Sequence, residues 1–221
     1  MGHGPHTPIH PQHTPGHGGA QIRRARLYEI GAAIGFLGRR RRVYDDLVTL
    51  SGARPGQQIL DIGCGTGYFS RRAALAVTPG GHVVGIDPSQ PVIEYAARRA
   101  PANCTFRTAS AQELPFGDAS FDVIISSLAI HHLPDGDRLA ALREMRRVLR
   151  PGGRLLLVDY GRLPRHLRLA KTLGMASGHA DRHAPSSELP GLAEQAGFHI
   201  TDSGDRWPSL HYVLGDVFDA L

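Results

Sequence analysis

Two adjacent histidines, His131 and His132, close an apolar run in the stretch IISSLAIHHLPDGDR at residues 124–138. An imidazole titrates near neutral pH, so either ring can move a proton or bind a metal. Adjacent side chains diverge, and a structural zinc site needs four ligands, so no metal site is assigned. The pair is left as a general base or as residues that shape a pocket. A second group lies upstream, where LDIGCGTG at 60–67 sets Asp61 at the end of an apolar run, followed by Gly63, Gly65 and Gly67. Glycines there let the backbone approach a ligand and turn into a helix. Cys64 is read as a small filler inside that loop. Asp87 follows 20 residues after Gly67, at the end of the next apolar run. A carboxylate so placed can accept both hydroxyls of a ribose, and Pro88 offers a flat apolar surface for an adenine ring. Nicotinamide dehydrogenases use a related loop spaced G-x-G-x-x-G, whereas this one runs Gly63-x-Gly65-x-Gly67.

The elements that must position these groups follow from hydrophobic periodicity. QQILDIG, GHVVGIDPS, CTFRTAS, FDVIISSLA and RLLLVDY read as strands, the fourth continuously apolar as a strand buried on both faces is. YFSRRAALAV, QPVIEYAARRA and DRLAALREMRRVLR read as the intervening helices, the last stopped by PGG. Alternation of this kind implies an α/β fold with a doubly wound parallel sheet. SSELPGLAEQAGF is a further helix, and HITDSGDRW and SLHYVLGDV follow without a helix between them, which predicts a hairpin on the sheet edge. Residues 1–20, rich in His, Pro and Gly, read as a disordered tail, since Pro5, Pro8, Pro11 and Pro15 forbid a regular helix. Residues 21–56 read as N-terminal helices forming a cap. Residues 57–221 form the main domain, with a lid at 160–187 that is too long for a simple strand–helix link.

Composition narrows the classes. The 221 residues suit one well-buried domain and contain no apolar run long enough to span a membrane. No secretory signal is read at the N-terminus, and two cysteines, Cys64 and Cys104, make no disulfide framework, so a cytoplasmic location is expected. The formal charge of +5 sits entirely in residues 1–57, where eight arginines face three acidic residues; the remaining 17 basic and 17 acidic residues cancel. A broad nucleic-acid footprint is therefore not expected. The run Arg39, Arg40, Arg41, Arg42 reads as a solvated turn or helix start, or as a contact for an anionic surface. In the lid, Arg162, Arg165, Arg168 and Lys171 share one helical face and leave the same two readings. His179 and His183 have the i, i+4 spacing of metal ligands, but Gly178 and Pro185 flank them and a loop is expected.

The segments ILDIGCGTGYFS, VVGIDPS, ELPFGDASFDVIISS and EMRRVLRPGGRLLLVDY resemble the successive motifs of class I S-adenosylmethionine-dependent methyltransferases. The branch with quinone-biosynthesis and other small-molecule methyltransferases is the nearest in pattern, over residues 55–160. The resemblance implies a Rossmann-like sheet of seven mostly parallel strands with a C-terminal antiparallel hairpin, and S-adenosyl-L-methionine as cofactor. It implies that Asp61, Gly63 and Gly65 line the methionine part, that Asp87 holds the ribose, and that Ala111 and Gln112 border the adenine. Where the family carries an acid before that alanine, this chain has Ser110, whose hydroxyl meets the exocyclic amine without charge assistance. Base-directed members carry an Asn-Pro-Pro-aromatic run after the fourth strand; here Ser127, Leu128 and Ala129 take that place. Tyr28 and Tyr44 could close over the cofactor by analogy.

Methyl transfer from a sulfonium is an in-line displacement, so the enzyme aligns the acceptor and excludes water. A base is needed only where the acceptor must lose a proton early. The candidates at the ends of the fourth and fifth strands are His131, His132, Asp159 and Tyr160, with His132 slightly favoured. The expected activity is transfer to a small, hydrophobic acceptor, with peripheral membrane contact as a further option. RNA or protein as acceptor, or a non-catalytic cofactor-binding module, are the alternatives.

Overall fold

The computed structural model describes residues 38–161 and 187–218. Helix α1 spans Arg40–Ser51, strand β1 Gln58–Ile62, helix α2 Tyr68–Ala76, β2 His82–Asp87, α3 Gln90–Ala97, β3 Cys104–Thr108 and β4 Phe121–Ser127. A 3₁₀ turn at Ile130–His132 leads into α4 at Asp135–Val148, β5 at Leu149–Tyr160, α5 at Leu189–Gln195, β6 at His199–Arg206 and β7 at Leu210–Asp216. The seven strands form one sheet in the order β3-β2-β1-β4-β5-β7-β6. The first five pair in parallel, and β7 runs antiparallel to both β5 and β6.

The apolar strands feed two cores because successive side chains leave a strand on opposite faces. Leu60 and Ile62 of β1, Ile124 of β4, and Leu155 and Leu157 of β5 join α4 and α5 through Leu142, Met145, Leu189 and Ala193. Ile59, Val123, Ile125, Leu156 and Val158 turn to the other face and meet α1 and α2 through Leu47, Phe69 and Ala73. Asp61 shares the face of Ile59, which sets its carboxylate under the first turn of α2.

Boundaries depart from the pattern in three places. The residues 149–153 belong to β5, and α4 ends at Val148; the register between β4 and β5 jumps from Phe121↔Leu149 to Val123↔Arg154, so the proline and glycines are accommodated in a bulge. Strand β4 stops at Ser127, and Leu128 adopts a left-handed φ of 56°. That conformation is strained for a leucine and turns the chain sharply into the histidine turn. Helix α1 starts at Arg40, so the arginine run forms its entry: Arg41 and Arg42 are exposed, but Arg40 is only 8% exposed, contrary to a wholly solvated run. The 1–20 tail, Tyr28, the 162–186 part of the lid with its basic face, and His179 and His183 lie outside the described residues.

Candidate active site

The glycine loop is held by the strand next to it. Cys64 donates its backbone N–H to the Ile86 carbonyl at 2.9 Å, and Gly65 donates its own to Asp87 Oδ2 at 3.1 Å. Asp87 Oδ1 accepts from Ser89 N–H at 2.9 Å. Each oxygen of Asp87 is thus aimed by a backbone donor and keeps a further lone pair for a ligand hydroxyl. The three glycines do different work. A methyl group at Gly67 would sit 2.5 Å from the Phe106 ring, and one at Gly63 would sit 2.3 Å from Ala129 Cβ; these two are bare because the fold is close there. At Gly65, φ +52°, an added Cβ would meet nothing within 4 Å, so the open space beside it is available to a ligand.

Asp61 is 1% exposed and accepts the Ser70 hydroxyl at 2.5 Å and the Ser70 backbone N–H, which caps the first turn of α2. Burial raises its carboxyl pKa to about 7, and the neighbouring charge of Asp87 adds to the rise, against the lowering effect of Ser70. Such a carboxylate in a cavity wall is matched to a cation. Burial also pushes the Cys64 thiol well above its ordinary value, with the Asp61 and Asp87 charges adding to it, so Cys64 serves as packing.

These groups line one cavity of about 820 Å³, within the ~300–1,000 Å³ range of small-molecule sites. Gly63, Cys64, Gly65, Asp61, Asp87, Pro88, Ser110, Ala111, Gln112, Ser127 and His132 all lie on its wall; Gly67 does not. The 109–112 segment is held from behind by α4. Glu144 Oε2 accepts Leu114 N–H at 2.9 Å, and Arg147 donates to the Leu114 and Phe116 carbonyls at 3.2 and 2.8 Å. Within the segment, Ser110 donates to Gln112 Oε1 at 2.5 Å, and Gln112 Nε2 donates to Asp137 Oδ2 at 3.1 Å. Ser110 Oγ therefore spends its proton on Gln112 and retains a lone pair for an incoming amine. Ser127 Oγ is buried on the cavity wall and has no hydrogen-bond partner among the described residues. An orphaned hydroxyl in such a place calls for a ligand atom.

The two histidines part company. His131 contacts Asp159 Oδ1 through Nδ1 at 2.7 Å and donates its backbone N–H to Oδ2 at 3.2 Å. Asp159 is fully buried and also accepts Tyr160 N–H at 2.7 Å, so it anchors the turn and cannot reach an acceptor as a base. Tyr160 is 45% exposed and lies off the cavity wall. The His132 ring packs against His131 at a 45° tilt, with ring centroids 4.0 Å apart, and His132 lines the cavity. Burial and the charge of His131 lower its pKa below 6.5. Among the described residues no three His, Cys, Asp or Glu side chains gather into a metal-binding group.

Sequence reasoning missed Arg40 and Tyr68. Both line the cavity; the Arg40 guanidinium carbon lies 3.9 Å from the centre of the Tyr68 ring, inside an aromatic group completed by Tyr44 and Phe69. The one available signal was spacing: Arg40, Tyr44, Leu47 and Ser51 fall on one helical face, and all are buried.

The family model described as a methyltransferase domain matches residues 59–153. The ubiquinone/menaquinone biosynthesis C-methyltransferase UbiE of Vibrio vulnificus is 33% identical over 181 residues, covering 70% of this chain and 68% of that protein. The 27-O-demethylrifamycin SV methyltransferase of Amycolatopsis mediterranei is 41% identical over 128 residues, 56% of this chain. The chain spans about half the length of several such curated relatives, 46% for the Amycolatopsis enzyme and for two further UbiE proteins. The crystal structure of a SAM-dependent methyltransferase from Aquifex aeolicus shares the fold at 18% identity, with a TM-score of 0.73 over 89% of this chain and 98% of that one. With this sheet, this glycine loop and a match across more than two thirds of the Vibrio vulnificus relative, the chain belongs to the class I S-adenosylmethionine-dependent methyltransferase family.

Proposed function

We propose that this chain transfers a methyl group from S-adenosylmethionine to a small acceptor with apolar surface, by direct in-line displacement. The observation that carries this reading is one continuous cavity whose wall includes both the Asp61–Asp87 cradle and the His132 ring, with Leu128, Ile130 and Leu133 beside it. Bound S-adenosylmethionine supplies a methyl group made electrophilic by a sulfonium. Asp87 holds the ribose hydroxyls, while Ser110, Ala111 and Gln112 border the adenine next to Pro88. Asp61 faces the cationic methionine end, Gly65 gives it room, and Arg40 meets its carboxylate. Ser127 Oγ finds its missing partner on the same ligand.

His132 is neutral near pH 7, because burial and the His131 charge keep its pKa down, and it takes the proton from the acceptor's O–H or activated C–H. His131 and Asp159 hold the turn that aims it. One relative is named for a C-methylation in quinone biosynthesis and another for an O-methylation of a rifamycin, which supports acceptors that lose a proton from carbon or oxygen. A cytoplasmic location is supported by Cys64 and Cys104, both free and buried. The neutral 58–221 body supports a small molecule over a nucleic acid as acceptor. No described helix is long and apolar enough to cross a membrane.

The test pairs calorimetric binding of S-adenosylmethionine with transfer of a labelled methyl to a panel of hydroquinones and phenols. Binding with transfer, both lost in Asp87→Ala, is the expected result. A chain that does not bind the cofactor at all would sink the reading.

A further inference from the structure

A second, smaller recess of about 310 Å³ lies between the start of α1 and the β6–β7 turn, lined by Arg39, Arg42, Val43, Asp46, Leu47, Arg206 and Trp207. Its place in the fold follows from register. Leu210, the first residue of β7, pairs with Tyr160, the last of β5, so the β6–β7 turn lies at the carboxyl end of the parallel strands. That is the end where the catalytic cavity lies. Helix α1 joins the two: Arg40 enters the cavity wall, while Arg39 and Arg42 turn to the recess.

Three arginines line it, against a single acidic residue, Asp46. Among the described residues, none of Arg39, Arg42 and Arg206 has a carboxylate ion-pair partner. Arg39 instead lies over the Trp207 ring at 5.6 Å, and Arg206 over Tyr212 at 4.6 Å. Trp207 is the chain's single tryptophan and is 43% exposed. A positive recess rimmed by a half-exposed indole matches the chemistry of a phospholipid surface, where phosphates sit beside an apolar boundary favoured by tryptophan. A nucleic acid fits less well. It needs a basic track of many phosphate spacings, and here three arginines are gathered in one small recess.

We propose that this recess seats the phosphate of an anionic phospholipid, with Trp207 at the lipid boundary, and so holds the cavity end of the sheet against a membrane surface. The proposal goes beyond the methyl-transfer reading, and its vesicle assay needs neither cofactor nor acceptor, so either can fail alone.

The experiment uses the full chain with vesicles of phosphatidylcholine, with and without phosphatidylglycerol, following co-sedimentation and Trp207 emission. The expected result is sedimentation and a blue-shifted emission with anionic vesicles only, both reduced by added salt. Each of Arg39→Gln, Arg42→Gln and Arg206→Gln should weaken partitioning about fivefold, and the triple variant should leave it near background. The triple variant's cofactor affinity, measured by calorimetry, should match the wild type, because none of the three lines the cavity. Four outcomes overturn the proposal: unchanged vesicle binding by the triple variant, loss of its cofactor binding along with vesicle binding, saturation of the Trp207 signal by inorganic phosphate with no vesicle binding, or a Trp207 shift with an RNA oligonucleotide that vesicles do not produce.

Discussion

The glycine loop between β1 and α2 and the histidine turn after β4 line the same cavity by different means. The loop is organised by backbone. Its amides are fixed by the Ile86 carbonyl and the Asp87 carboxylate, on the strand immediately beside it. The turn is organised by side chains from a distance. Leu128 is bent into a left-handed conformation, and His131 is tethered to Asp159, 28 residues on. A backbone cradle recognises a constant ligand, and its residue types are dictated by sterics. A turn hung on one buried acid presents whatever side chain follows, here His132, to whatever acceptor arrives. Under the proposed function the cofactor is written into glycines and aspartates, and the acceptor into the neighbours of a histidine.

The comparison can be broken at either end. The largest effect is expected at His132→Ala. If its ring is the base, turnover falls on the order of 10²–10⁴-fold while cofactor affinity holds, measured by methyl transfer and by calorimetry. An equal loss in both would return His132 to the cofactor side. Next comes Asp87→Ala, which removes the two proposed ribose contacts and the Gly65 anchor. About two charge-assisted bonds of ~1.5 kcal/mol each predict a hundredfold or greater loss of cofactor affinity by calorimetry.

Gly67→Ala separates fold from ligand. Its added methyl meets Phe106 at a φ of +74°, so the melting transition should report a loss of about 2 kcal/mol. The cofactor affinity of the folded fraction should stay near normal. The mildest effect is that of pH on cofactor binding. Burial raises Asp61 to about 7 in the empty fold, and a cationic ligand favours the ionised form. Below pH 7 a proton must leave before binding, so affinity should weaken by up to tenfold per pH unit on descent and level off above. Asp61→Asn should flatten that slope. In the ligand-free protein the sign is opposite: a raised carboxyl pKa favours the folded state at low pH, and that gain is lost between the ordinary value of 3.8 and about 7.

What the sequence conveyed follows the same division. The strands β1, β2, β4 and β5 were legible because burial on both faces leaves continuous apolar runs, and the terminal hairpin because no helix separates β6 from β7. That Asp61, Gly65 and Asp87 come together on one cavity wall was legible because their spacing is local to a strand–loop–helix unit. Arg40 was not read from the run of four arginines, because only its helical spacing with Tyr44 and Leu47 marks it as the one that turns inward, onto the aromatic rings of α1 and α2. The distinct fates of His131 and His132 were hidden for a related reason. They depend on Asp159 pairing across the end of the sheet, a contact that local spacing does not encode. The strand bulge at 150–153 was also missed, because Pro-Gly-Gly signals a stop whether or not a bulge absorbs it.

One close approach sets limits on redesign. A methyl group on Gly63 would sit 2.3 Å from Ala129 Cβ, so these two positions, one from each half of the cavity, share a single allotment of volume. A side chain at residue 63 would push the glycine loop and the histidine turn apart. New specificity is written more freely at Leu128, Ile130 and Leu133, which border the same cavity as Ala129 without making that close approach. Under the proposed function, selectivity for acceptors is thereby tunable along one wall, while the wall nearest the loop is reserved for the cofactor.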